Sequence, residues 1–228
     1  MYYEPGVTDH HLPFRPFKSC VVPRPIGWIS TLSKDGIGNL APYSQFQNVS
    51  YDPPMVLFSA NRRQSGEPKD TVRNAQDSGE FVWNMATFAQ RDAVNRSSQD
   101  YPFGVDEMEK IGLERLPSTL VKPARVADSP VHFECRYMQT VSLPGNGAGA
   151  VDVVFGRVIG IHIDDRAFDA EGRIDIVRLR PLARLGYLDY TSVESKFTMV
   201  PPHRDPSSIS DMEGPQGAQR PVRTASLA

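Results

Sequence analysis

Cysteine is nearly absent from the chain: Cys20 and Cys135 are the only two in 228 residues. Neither has a second thiol or a histidine at metal-ligand spacing, which argues against a cysteine-based metal site, and a disulfide between them is the competing reading to free thiols. Both lie in apolar, strand-like segments and are expected to be free and buried, and no metal is expected. Charge of one sign is lacking too. The formal net charge is −2 with 23 % charged residues, so neither a basic nucleic-acid surface nor an acidic tail is indicated. No apolar run approaches the ~18 residues that span a bilayer. The start, Met1-Tyr-Tyr-Glu-Pro-Gly6, lacks a basic segment followed by an apolar one. These absences predict a soluble, cytoplasmic protein without membrane or nucleic-acid partners. A dinucleotide fingerprint is missing as well: the glycine stretch at 145–149 has Ala150 where the third glycine would fall, and it lies between two strands.

What is present is mostly strand. Cys20 to Leu32 is rich in Val, Ile, Trp and Thr and leads through the turn Lys34-Asp-Gly36 into an extended run from Asn39 to Val49, which together predict a hairpin. Pro23, Pro25 and Pro42 predict bulged or edge portions within it. Pro54–Ala60 and Glu80–Ala86 read as further buried strands. Between them, Thr71–Ser78 reads as a short helix with Asp70 as cap and Gly79 as stop. Short helices are also expected at Gln90–Ser97 and Asp106–Ile111, within or beside a loop-rich excursion over 99–130. Val131–Leu143 alternates, with Val131, Phe133, Cys135 and Tyr137 on one face and His132, Glu134, Arg136 and Met138 on the other. In Val151–Ile163 the apolar odd positions point one way, and Gly156, Gly160 and His162 point the other. Strands dominate, helices are short and strand–helix–strand repeats are missing, so a mainly β barrel is favoured over a doubly wound sheet. Residues 1–200 are expected to form one domain. Residues 201–228, rich in Pro, Ser, Gly and Arg, are expected to be a disordered tail.

Three residue groups carry chemistry. Lys69-Asp70-Thr71 stands where a loop enters a helix, so backbone N–H groups, a hydroxyl and an ammonium converge as a phosphate would require. A solvated helix cap is the competing reading. Trp28 is either a cofactor wall or part of the core. Ser30, Thr31, Ser44 and Ser59 are polar residues in apolar strands that need partners if buried, and a ligand is one source.

Seven segments in order resemble the flavin reductase-like family of FMN-binding split barrels over about residues 14–190. They are Pro23-Arg-Pro-Ile-Gly-Trp-Ile-Ser-Thr31, Asn39-Leu-Ala-Pro-Tyr-Ser44, Asp52-Pro-Pro54, Lys69-Asp-Thr71, Glu80-Phe-Val-Trp-Asn84, Ser129-Pro-Val-His-Phe-Glu-Cys135 and Arg184-Leu-Gly-Tyr187. The resemblance implies a homodimer with FMN in a groove near the subunit interface. It places Arg24, Trp28, Ser30 and Thr31 beside the cofactor and Ala41, Pro42, Tyr43 and Ser44 along the isoalloxazine edge. It puts Ser59 and Asn61 near the ribityl chain, and Lys69, Asp70 and Thr71 at the phosphate. Gln47 stands where the family usually has Asn, so a hydrogen bond expected there is longer or lost. Tyr187 stands where the family often has a second glycine.

The implied activity is that of an oxidoreductase passing electrons from NADH or NADPH, bound transiently, through FMN to free flavin, a monooxygenase partner or another carrier. Such chemistry belongs to the cofactor and leaves no nucleophile or carboxylate pair to find in the sequence. The alternatives are a non-catalytic FMN-binding electron carrier or flavin store, and an interaction module with an empty site. His162, on a glycine-flanked face with room for a flat group, is the candidate catalytic residue, positioning a nicotinamide or donating a hydrogen bond to reduced flavin. A structural histidine is the other reading.

Overall fold

A computed structural model describes residues 1–200 and residue 202. Apart from Pro202, the expected tail over 201–228 therefore lies outside the described residues. The strands in chain order are β1 (Arg24–Pro25), β2 (Gly27–Leu32), β3 (Gly38–Tyr43), β4 (Phe46–Tyr51), β5 (Pro54–Asn61) and β6 (Glu80–Met85). They continue with β7 (Arg115–Leu116), β8 (Arg125–Val126), β9 (Val131–Leu143), β10 (Val151–Ile163), β11 (Leu182–Gly186) and β12 (Asp189–Ser192). The helices are short: α1 (Asp70–Ser78), α2 (Arg91–Arg96), α3 (Glu107–Ile111) and α4 (Ile176–Leu179). Met1–Glu194 form one compact unit. No helix among the described residues is long and apolar enough to cross a membrane.

The main sheet has seven strands in the order β3-β2-β6-β9-β10-β5-β4, and its two ends are consecutive in sequence. Only Ser44 and Gln45 separate β3 from β4, so a sheet with these strands at opposite ends must curl until its ends nearly meet. The Ser59 N–H donates to the Gln45 carbonyl at 2.8 Å and helps to pin that corner. Phe46 then turns inward, stacked on Trp83 at 5.3 Å and packed on Gly27, where a Cβ would lie 2.8 Å from its ring. The expected single strand Asn39–Val49 is thus two strands belonging to opposite ends of the sheet.

Two apolar clusters fill the fold. Ile29, Phe46, Phe58, Phe81, Trp83 and Cys135 belong to the first, which also receives Val72 and Ala75 from α1. Ile26, Trp28, Leu40, Val94 and Met108 belong to the second, under α2 and α3. The excursion over 117–126 hangs on polar residues of the sheet's outer side. Glu134, fully buried, accepts the N–H groups of Thr119, Leu120 and Val121 at 2.7, 2.5 and 3.1 Å. Glu80 accepts from Lys122 and Asn84 from Val126, at 2.8 and 2.9 Å.

Four local expectations need correction. The segment from Cys20 to Pro23 is not strand: a short 3-10 turn, Phe17–Ser19, ends at Cys20, whose thiol is exposed, while Cys135 is buried. Lys69, and not Asp70, is the α1 N-cap, because Asp70 already has helical backbone and turns its carboxylate to Arg63. In β10 the odd positions do not share one face. The register shift between Val158 and Gly160 skips Ile159 and interrupts the period-two alternation of β10, whereas the shift between Phe155 and Gly156 skips Met138 of β9. Val153 and Phe155 therefore face outward, while Ile161 pairs with the inward Phe133. Gly156 and His162, for the same reason, lie on opposite faces: Gly156 is against Phe81 and His162 is beside Glu134.

Candidate functional site

A polar groove of about 110 Å³ opens where β3, the start of α1 and the segment after α2 converge. Ala41, Pro42 and Tyr43 form one wall, and Lys69, Asp70 and Thr71 form the end at the helix. The first N–H groups of a helix lack partners within it and favour an anion. Two cations stand there. Lys69 Nζ lies 2.7 Å from Asp100 Oδ1, and Arg63 reaches the same oxygen at 3.5 Å while holding Asp70 at 2.8 Å. The Lys69 ammonium, bonded to it, holds the Asp100 carboxyl below the usual carboxylate range. Asp100 is 70 % exposed, so a solvent-facing carboxylate occupies the point on which both cations converge.

Behind this wall lies a buried polar network. Thr71 Oγ1 donates to Asn39 Oδ1 at 2.6 Å, and Asn39 Nδ2 donates to both oxygens of Glu107 at 3.0 Å. Glu107 also accepts the Leu40 N–H at 2.8 Å. Burial pushes the Glu107 carboxyl up, against these hydrogen bonds, and the charge of Asp70 adds to the rise. Burial likewise pushes the Tyr43 phenol up, against its hydrogen bond to Thr71. The network fixes Thr71 and the β3 backbone, which lets the groove keep its shape without a ligand.

The residues expected at the cofactor fall into three sets. Ala41, Pro42, Tyr43, Lys69, Asp70 and Thr71 are brought together in the groove. Arg24 and Ser44 line an adjoining cavity that shares Pro42 and Ser98 with it. The others lie elsewhere. Trp28 has no exposed surface and sits in the second cluster, with its indole N–H on Ser97 Oγ at 3.0 Å; it supports the groove from behind and cannot wall a ring. Ser30 finds its partners within the fold, donating to the Ala124 carbonyl at 2.6 Å and accepting from Asn84 at 3.2 Å. Thr31 is buried in the Asn39 network, donating to Asn39 and accepting from Asn74. Ser59 and Asn61 lie on the outward ladder beside Val153 and Val151, and Asn61 is bonded to the Ala148 carbonyl. Gln47 is exposed and bonded to Asn48.

His162 is also remote from the groove. Along the ladder it faces His132, then Asn84, Trp28 and Pro42 in turn. Four strand spacings amount to roughly 19 Å along the sheet. Its Nε2 lies 2.5 Å from Glu134 Oε1, and the room expected beside it is filled, since a Cβ on Gly160 would touch Leu120 and Glu134. Burial works against it, but the Thr119 N–H and the His162 ring hold the Glu134 carboxyl below its usual range. His162 thus braces the acceptor that anchors the 119–121 loop.

Sequence reasoning missed Arg63, Asn39, Glu107 and the run from Ser97 to Tyr101 as groove residues. Arg63 carried a signal, being a cation on the turn that leads from β5 to Lys69. The 97–101 run carried none, because nothing local says which way a polar segment folds after a helix. Among the described residues, no group of three or more His, Cys, Asp or Glu side chains could hold a metal ion.

Comparison with known proteins adds the family. Residues 19–188 match the model of the flavin reductase like domain. An uncharacterised protein of Aquifex aeolicus is 36 % identical over 179 residues, covering 78 % of this chain and 89 % of that protein. The crystal structure of nitrilotriacetate monooxygenase component B from Bacillus cereus superposes with a TM-score of 0.80 at 28 % identity, covering 87 % of this chain and 98 % of that one. A Shewanella frigidimarina structure described as having a split barrel domain matches with a TM-score of 0.71 at 21 % identity, covering 81 % and 89 %, and shows the fold. The chain is a split-barrel member of the flavin reductase like domain family.

Proposed function

We propose that the groove binds FMN and that the chain is an NAD(P)H-dependent oxidoreductase of the flavin reductase type. When bound, FMN supplies the redox chemistry, taking electrons from NADH or NADPH and passing them to free flavin, a monooxygenase partner or another acceptor. The observation that carries this reading is the convergence of Lys69 and Arg63 on one oxygen, at the start of α1, in a groove walled by Ala41, Pro42 and Tyr43. The residues fit the group. Lys69, Arg63 and the backbone N–H of Thr71 would hold its phosphate, and the β3 backbone from Ala41 to Ser44 would meet the polar edge of its ring. One phosphate-sized subsite at α1 favours FMN over FAD.

The same reading includes a homodimer. Leu57, Phe155, Val153 and Val141 make a continuous, partly exposed apolar ladder on the outer face of β5, β10 and β9. Ser59 and Asn61 share that face, so a second chain packed there would bring them toward an interface. Light scattering is expected to give twice the chain mass, and a monomer at micromolar concentration that binds FMN tightly would contradict this placement.

The deciding experiment is anaerobic mixing of the FMN-loaded protein with NADH or NADPH while following flavin absorbance. Tight FMN without reduction would favour the electron carrier or flavin store. Lys69→Ala should weaken FMN binding by about 1–3 kcal/mol, the scale of a charge-assisted hydrogen bond. Unchanged affinity by fluorescence quenching would remove Lys69 from the site.

A further inference from the structure

The groove continues past Pro42 and Ser98 into a cavity of about 300 Å³ whose charge is of one sign. Arg15, Lys18, Arg24 and Arg184 line it, and among the described residues no carboxylate does. Among the described residues none of these four forms an ion pair, whereas Lys69 and Arg63 in the first groove both meet aspartates. Arg24 and Arg184 stand directly opposite each other in the antiparallel pairing of β1 with β11. Like charges so placed are unfavourable unless an anion lies between or beside them.

The two guanidinium groups are nevertheless held. Arg24 donates Nη1 to the carbonyls of Lys18 and Val21, the latter at 2.7 Å, and its Nε is buried without a partner among the described residues. Arg184 donates to the Tyr187 carbonyl and lies 4.3 Å over the Tyr190 ring. Carbonyls and a ring face orient a cation without carrying a counter-charge, so the pair is positioned but not neutralised. The wall between them is tightly built. Tyr187 has a φ of 44°, unusual outside glycine, and a Cβ on Gly186 would lie 2.2 Å from Ser19 Oγ, itself buried and unpartnered among the described residues. Strain of this kind persists where the surroundings fix it, as at ligand clamps.

We propose that this cavity is a second anion subsite, which takes the oxyanion of a planar ligand lying beside the flavin. Tyr187 and Tyr190 flank the planar part, and Arg24 and Arg184 take the oxyanion. The oxyanion is either a phosphate of the reduced dinucleotide or a carboxylate of an aromatic acceptor. The inference rests on the FMN reading for its neighbour, though the charge of the cavity does not.

The test compares wild type with Arg184→Gln and Lys18→Gln in the full chain, with folding checked by circular dichroism. FMN affinity is read by fluorescence quenching. Binding of 2′,5′-ADP and of benzoate is read by calorimetry on protein with and without FMN. The expected result is that at least one probe binds wild type and weakens tenfold or more in Arg184→Gln, with FMN affinity within twofold. Loss of 2′,5′-ADP, with a rise in KM for NADPH but not for NADH, identifies the phosphate source. Loss of benzoate with both KM values unchanged identifies the carboxylate. Failure of both probes to bind wild type, or equal affinity in Arg184→Gln, overturns the proposal. If FMN affinity collapses in Arg184→Gln and survives in Lys69→Ala, the flavin phosphate occupies this cavity and both readings fall. If wild type takes no FMN, the reading of the first groove falls alone, and the titrations without FMN still decide the second.

Discussion

Asp100→Asn should tighten FMN binding, which is the opposite of what removing a hydrogen-bonding group from a binding site usually does. The Asp100 carboxylate lies 2.7 Å from Lys69 Nζ and 3.5 Å from Arg63 Nη1, the two cations assigned to the phosphate. A phosphate arriving there must displace that carboxylate or bind beside it, and either costs free energy. Asp100 is 70 % exposed, so the full low-dielectric attraction does not apply. Two unit charges about 4 Å apart in water interact by about 1 kcal/mol, and exposed ion pairs yield about 0.2–1 kcal/mol each. Freeing both cations should therefore strengthen FMN binding by about 0.4–2 kcal/mol, roughly two- to thirtyfold. The assay is fluorescence quenching of FMN at low ionic strength, repeated in about 1 M salt, where screening should shrink the difference. Because Lys69 holds the Asp100 carboxyl below its usual range and the phosphate is doubly ionised above about pH 7, the gap should stay constant between about pH 7 and 8. Equal affinity would show that Asp100 does not compete. Weaker binding in the variant would show that Asp100 holds Lys69 in place for the ligand, which refutes the reasoning.

Two further outcomes test the scaffold. Burial raises the Glu107 carboxyl above its unfolded value, so its contribution to stability is full below that value and lost as pH rises through the raised one. Glu107→Gln, uncharged throughout, should gain stability on wild type as pH rises above the ordinary Glu range in urea unfolding; a difference independent of pH would contradict the assignment. At Gly156 a Cβ would lie 2.2 Å from the Phe81 ring in the barrel core. Gly156→Ala should lower stability by about 1–3 kcal/mol through overpacking, and an unchanged melting temperature would show that Phe81 moves aside freely.

The fold was legible where apolar pattern and turn chemistry agree. β5, β6, β9, β10 and α1 fall where alternation, Gly79 and the turn before β3 put them, because each signal is local. The break at Ser44–Gln45 was not legible. Asn39–Val49 is uniformly extended in character, and only closure of the sheet makes its two halves opposite ends. The bulge at Ile159 in β10 escaped for a related reason. An inserted residue leaves the composition unchanged while exchanging the faces, and this is why His162 was placed with Gly156.

The site divides along a different line. Ser30, Thr31, Asn39, Asn84 and Glu134 are polar residues in apolar strands, and sequence alone cannot tell a group awaiting a ligand from one that anchors a loop. The structure separates them by partners. Ser30 and Asn84 spend their hydrogen bonds on the loop at 124–126, and Glu134 spends its own on the loop at 119–121 and on His162. Lys69 and Arg63 meet a carboxylate that water also reaches, which is a replaceable partner. Arg24 and Arg184 have carbonyls for orientation and no anion at all among the described residues. Ranked by how much charge the fold leaves unanswered, the loop anchors come last, the Lys69 subsite next and the Arg24–Arg184 cavity first. Affinity for small anions should follow that order. Sulfate titrated into the flavin-free protein should therefore lose more binding in Arg184→Gln than in Lys69→Ala, and the reverse ranking would show that Asp100 leaves the α1 subsite the stronger of the two.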